Sequence, residues 1–222
     1  MRILYHYPLC PFCRKVRLLL AEKMLDFTAM GEEPWNAHQS FLDINPTGDV
    51  PYLVEPSGDQ IGGGYAIIEY LEETNPDSPL LGKTLQESAE VRRLIEWFDV
   101  KFYSEVHQKL VYEKIFKRFW EARGPDSNAL RQGKKNIETY LLYITWLTDR
   151  RNWLGGDFFS LADITAAAHL SVLDYIGEVP WEKYAEAKDW YVRIKSRPSF
   201  RALLKDRISA FAPAPHYTNL DF

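Results

Sequence analysis

Cysteine is nearly absent: among 222 residues there are two, Cys10 and Cys13. A secreted disulfide scaffold needs more of them, and a structural zinc site needs further ligands at short spacing. His6 lies near the pair, but no downstream Cys or His pair completes a set, so no metal is expected. Long apolar runs are missing too. None reaches the roughly 18 residues that span a bilayer, so no integral membrane segment is expected. A strong charge of either sign is lacking: the net charge is −4, which gives nucleic acid no general electrostatic attraction. The opening "MRILYHYP" lacks the basic, apolar, small-residue order of a secretory signal, and the expected location is cytoplasmic.

What is present describes an ordinary globular chain, 46% hydrophobic and 26% charged, long enough for two modest domains. The seven Trp and 13 Tyr read first as core filling. "RILYHY" alternates and is rich in strand formers, which predicts a strand over 2–7. Pro11 sits where the first residue of a helix tolerates a missing N–H, and Val16, Leu19 and Leu20 follow at helical spacing. "DFTAMGE" reads as a second strand, "NPTGDVPYLVE" as turn then strand, "QIGGG" as strand then turn, and "YAIIEYLEETN" as an amphipathic helix. The order β-α-β then β-β-α, with a Cys-x-x-Cys at the first helix, is a thioredoxin-like pattern.

Beyond "NPDSPLLG" the period becomes helical. "TLQESAEVRRLIEWFDVKFYSEVHQKLVYEKIFKRFW" predicts one long, bent helix and "SNALRQGKKNIETYLLYITWLTDRR" another. "SLADITAAAHLSVLDYIG" has the small residues of a buried central helix. "WEKYAEAKDWYVRIKSR" and "PSFRALLKDRISAF" complete the set. The expected organisation is a thioredoxin-like domain over 1–76, a linker over 77–84, an all-helical domain over 85–208 and an extended tail over 209–222 with Pro213 and Pro215.

Three segments make the chain resemble the glutathione S-transferases. "NPTGDVP" resembles that family's Asn-Pro-x-Gly-x-Val-Pro segment, "AIIEYLEE" its third helix, and "FFSLADITAA" its capping segment at the sixth. The resemblance implies the family's fold, an N-terminal thioredoxin-like α/β domain followed by a C-terminal helical bundle, and a homodimer. It also implies a cis bond before Pro51, with the Val50 backbone holding the cysteinyl part of glutathione. Ser160 and Asp163 have capping-box spacing and read as a structural cap rather than a ligand site.

The family's catalytic Tyr, Ser or Cys lies in the turn from first strand to first helix, where this chain has Cys10. A helix N-terminus, with Arg14 and Lys15 nearby, favours a thiolate there. The enzyme reading is a glutathione-dependent thiol transferase with Cys10 as nucleophile and Cys13 as resolving thiol; the plainer reading has Cys10 capping loosely and Cys13 packing as a small hydrophobe. Against catalysis, the family's Glu-Ser or Asp-Ser pair that grips the γ-glutamyl end falls on Gly63 and Gly64. Asp49 also puts an acid where many relatives carry a base. Glutathione is therefore expected to bind weakly or not at all, and no cofactor is required.

"YHYPLCPFCRKVR", "GEEPW" and the terminal "PHYTNLDF" are similar to a subgroup of this fold from alphaproteobacteria, cell-division proteins that bind filaments of the tubulin-like protein FtsZ. The implied function is non-catalytic regulation of that filament. Trp35 would be an aromatic anchor, and Lys114, Lys117, Arg118 and Arg123 a basic-aromatic stretch facing an acidic filament. Asp221 and Phe222 would form a terminal hook.

Overall fold

The computed structural model describes residues 1–209, 211–220 and 222. It divides into two compact units, Met1–Leu80 and Leu81–Phe222, with the division falling inside the stretch read as a linker. Among the described residues, no helix is long and apolar enough to cross a membrane.

The first unit is a four-stranded mixed sheet with helices, in the order β2-β1-β3-β4. Strand β1 (Arg2–His6) runs parallel to β2 (Phe27–Gly31), the two being joined through helix α1 (Pro11–Glu22). After α2 (Gln39–Leu42), β3 (Tyr52–Val54) pairs antiparallel with β1 and with β4 (Gln60–Gly62), and α3 (Gly64–Thr74) closes the unit. The apolar positions of α1 account for its place: Val16, Leu19 and Leu20 are fully buried, as are Ile67, Ile68 and Leu71 of α3. At the C-terminal ends of the two helices, buried Lys23 donates to the carbonyls of Asn75 (2.9 Å) and Ser78 (3.0 Å) and pairs with Glu72 at 2.9 Å. Two carbonyls accept its protons and a carboxylate lies beside its charge, which is how an ammonium is buried without a large penalty.

The second unit is helical throughout. A continuous rod runs from α4 (Leu85–Glu96) through a π-type stretch (Trp97–His107), α5 (Gln108–Val111), a second π-type stretch (Tyr112–Phe116) and α6 (Lys117–Phe119). The expected bent helix is thus one rod whose i→i+5 bonding widens it in two places. A reciprocal cap starts it: Thr84 Oγ accepts from the Glu87 amide, and Glu87 accepts from Thr84 N at 2.9 Å. Helix α7 (Ser127–Thr148) follows, capped by Asp126, and α8 (Leu161–Tyr175) is buried at all of its residues. The small side chains of "ADITAAA" permit that position, since a central helix has no solvent face to fill with charge.

The end of the chain departs from expectation. After α9 (Ala185–Lys195), the described residues of the stretch "PSFRALLKDRISAF" hold only a short 3₁₀ turn and α10 (Arg201–Leu204). The Tyr175 phenol takes over the backbone beyond it, accepting from Ile208 N at 3.3 Å and donating to Phe211 O at 2.9 Å. The tail read as extended is instead a strap on the helical unit. Ala214 N bonds to Tyr175 O at 2.8 Å, and the fully buried Tyr217 donates to Leu203 O at 2.9 Å. His216 reaches Asp174 at 2.9 Å.

Candidate functional site

Cys10 is the N-cap of α1, and its sulfur accepts the Cys13 amide at 3.2 Å. Burial by itself raises a thiol's pKa. Here hydrogen bonds from the Cys13 thiol, from the backbone N–H groups of Cys13 and Phe12, and the nearby charge of Lys15 outweigh it, and the Cys10 thiol sits below its ordinary value. Cys13, fully buried, goes the other way. Burial comes first and the interaction with Cys10 adds to it, holding Cys13 protonated. Both thiols are free. Arg14 and Lys15 are buried as well; Arg14 donates to Pro8 O at 2.7 Å, so its proton fork braces the turn, while Lys15 supplies the field at the sulfur.

The Val50–Pro51 peptide is cis, and the Cys10 sulfur lies 4.0 Å from the Val50 carbonyl oxygen. The Pro51 carbonyl is taken by Gly63 N at 3.0 Å, which ties the turn before β3 to the start of α3. Gly63 caps α3 without any side-chain bond, at φ +87°, a conformation in which a residue with a Cβ is strained. A Cβ on Gly64 would meet the Phe12 Cβ at 3.2 Å and Pro51 Cγ at 3.7 Å. The two positions that would grip a γ-glutamyl group therefore lack side chains, and Phe12 crowds the second. Sequence reasoning missed Phe12. It stands visibly between the cysteines, but nothing local connects it to Gly64.

Trp35 lies in the short 3₁₀ turn Pro34–Asn36. It packs edge-on against Tyr7, with ring centroids 4.8 Å apart, and is still 38% exposed. One face of the ring is thus packed against the unit while part of it stays open to solvent. Glu32 brackets the turn, accepting from His38 N at 3.3 Å and from His38 Nδ1 at 3.0 Å. The hydrogen bond to Glu32 and then its charge lift the His38 pKa, so the bracket gains charge assistance as pH falls.

The basic-aromatic stretch is less basic than its sequence. Lys114 pairs with Glu178, Lys117 with Glu113 at 2.9 Å, and Arg123 with Glu121 at 3.5 Å, while Arg118 lies over the Phe119 ring at 5.4 Å. Most of the charge expected to face a partner is compensated within the unit. A groove of about 380 Å³ lined by Ser104, Gln108, Lys109, Tyr112, Glu113 and Ala129 runs beside the same rod.

Phe222 is no free hook either. Its ring covers the buried Lys195 ammonium at 3.9 Å and packs on Trp181, Tyr191 and His216. Lys195 in turn reaches Asp174, also fully buried, at 3.3 Å. Asp221 lies outside the described residues. Ser160 and Asp163 form a reciprocal cap at the start of α8. Asp163 additionally accepts from Leu154 N and Trp190 Nε1, both at 2.9 Å, so the box also ties a loop and a distant helix to α8. Among the described residues no cluster of His, Cys, Asp or Glu is arranged to hold a metal.

Comparison with known proteins agrees with this architecture. Residues 4–79 match the glutathione S-transferase N-terminal domain and residues 107–198 the C-terminal domain. The chain is 48% identical to the FtsZ-localized protein A of Caulobacter vibrioides, over all of this chain and 98% of that protein. The crystal structure of a glutathione S-transferase from Rhodospirillum rubrum superposes with a TM-score of 0.96 at 55% identity, over the whole of both chains. The structure of FzlA from C. crescentus gives a TM-score of 0.96 at 48% identity, over 100% of this chain and 99% of that one. With both domain matches in order along one chain, and relatives alike from end to end, the protein belongs to the glutathione S-transferase superfamily.

Proposed function

We propose that this protein binds and regulates filaments of FtsZ in bacterial cell division and does so without glutathione catalysis. The observation that carries the reading is the end-to-end likeness to a protein localised with FtsZ. The Gly63–Gly64 start of α3, with Phe12 against Gly64, supports the non-catalytic half. The protein acts in the cytoplasm, where such a filament assembles, and as a homodimer.

Trp35 is the leading contact residue. A large ring presented on a bracketed turn and backed by Tyr7 loses little freedom on docking, which suits an interface anchor. Lys114, Lys117 and Arg123 contribute less, because their ion pairs already satisfy much of their charge, and Arg118 is laid over the Phe119 ring. Phe222 acts mainly by fixing the strap. Co-sedimentation with GTP-assembled FtsZ tests the reading. Wild-type protein pellets with the polymer, and Trp35→Ala lowers its affinity by about 30-fold, the loss of a hot spot of about 2 kcal/mol. Wild-type protein left in the supernatant overturns the function, and a Trp35→Ala variant that pellets normally overturns the choice of contact.

A further inference from the structure

We propose that the outer edge of β2 is a docking site for an extended peptide segment of a protein partner, which pairs with β2 as an added antiparallel strand and carries a basic residue where it passes Glu33. The inference stands on the first unit and is independent of the filament reading.

The ladder turns half of the main-chain groups of β2 outward. β2 is an end strand of the sheet, and among the described residues no strand lies on its outer side. Glu32 N donates inward to His6 O at 2.9 Å, continuing the parallel pairing of β1 with β2. Alternate residues of a strand turn their main-chain groups to opposite sides, so those of Thr28 and Met30 face β1 as Glu32 does. Phe27, Ala29 and Gly31 direct their N–H and C=O groups away from the sheet. Ala29 and Gly31 are exposed, and a Cβ built on Gly31 would meet nothing within 4 Å. An extended chain has room to come close there.

Native edges are commonly closed to such pairing by a Lys, a Pro or a bulge. The strand "FTAMG" has neither charge nor proline. Instead, all three methionines of the sequence lie around it: Met30 within the strand, Met24 in the turn before it, and Met1 with its sulfur 3.5 Å from Thr28 Oγ1. They are 45%, 87% and 82% exposed. Unbranched, polarizable side chains of this kind adapt to varied apolar partners.

Charge decides between a second copy and a foreign segment. Exposed Asp26 and Glu33 flank the strand. Two copies paired antiparallel about Ala29 would bring Asp26 of each beside Glu33 of the other, and like charges across a strand pair repel. The Arg2 guanidinium, 3.5 Å from the Asp26 carbonyl oxygen, is already paired with Glu55 at 2.8 Å. A foreign segment with Arg or Lys at the Glu33 end meets attraction instead. The Trp35 ring, 38% exposed and two residues further on, stands ready for the same cation. The edge is shut to its own copy and open to a basic strand.

The test titrates the full-length protein with capped heptapeptides that begin with Arg and then alternate Thr with Val, Leu or Phe. Calorimetry should show saturable binding, with the Ala29 and Gly31 amides exchanging about 10-fold more slowly by NMR. N-methylating every second peptide residue should cost about 30-fold for one of the two alternating sets and little for the other, because only one set donates to β2. Ala29→Pro removes one outward N–H where an edge strand tolerates proline, and should weaken binding about 5-fold. Glu33→Lys should weaken the Arg-first peptides about 5-fold and favour the same peptides begun with Glu. No saturable binding, or equal losses from the two N-methylated sets, overturns the strand pairing. A Glu33→Lys variant that binds both peptide types as the wild type does overturns the charge selection. Slowed exchange at Ala29 and Gly31 that grows with protein concentration, with no peptide present, would put a second copy on the edge and overturn the choice of occupant.

Discussion

Titrating the full-length protein with glutathione separates the two catalytic fates of this fold. Where an acid and a serine open the third helix, each makes a hydrogen bond involving a charged group of the tripeptide, worth about 1.5–3 kcal/mol. Here Gly63 and Gly64 make neither. Losing both contacts removes about 3–6 kcal/mol, or about 10²- to 10⁴-fold in affinity. A micromolar site becomes a millimolar one, and calorimetry carried to about 10 mM should show no saturation below about 1 mM. Gly64→Ser alone should recover little, because its Cβ arrives 3.2 Å from the Phe12 Cβ and Phe12 must move first. Gly64→Ser combined with Phe12→Gly, which removes that Cβ, should recover up to one contact, about 10- to 100-fold. Wild-type saturation below about 1 mM would refute the reasoning, showing that other groups replace the missing pair. Full recovery by Gly64→Ser alone would refute the role given to Phe12.

Two further outcomes concern stability. Asp163→Ala strands the Leu154 and Trp190 donors in a buried site and undoes the cap of α8, and should cost about 4 kcal/mol, read as a lower midpoint in urea unfolding; a loss below about 1 kcal/mol would mean that neighbouring groups re-pair those donors. Glu90, hydrogen-bonded by Arg93 and Arg151, has its carboxyl lowered from 4.5 to about 2. Its contribution is complete above pH 4.5 and is lost as pH falls toward 2. Because Arg93 is 48% exposed, screening limits the contribution to about 1 kcal/mol. Glu90→Gln should be less stable by that amount at pH 7 and equal to wild type near pH 2, and an undiminished difference at low pH would contradict the assignment.

The sequence by itself determined what depends on a few adjacent residues. Pro11 at the first helical position, the cap spacing of Ser160 and Asp163, the alternation of β1 and the small residues of α8 each act within a turn or a pleat, so their outcome is written where they stand. The thiol pair belongs to this class: both sulfurs lie on one helical turn, and the groups that lower the Cys10 thiol, Phe12, Cys13 and Lys15, all stand within five residues of it. Tertiary structure decided the rest, where the partners are far apart in the chain. Phe12 meets Gly64 only because α1 and α3 come together, which turned a missing pair of side chains into a crowded subsite. Lys114 reads as a surface charge until Glu178 is folded beside it, and Phe222 reads as a free end until Lys195 is buried beneath its ring. A buried ammonium must find partners wherever the chain can deliver them. Composition could count these lysines and aromatics, but only packing could say which charges were already answered.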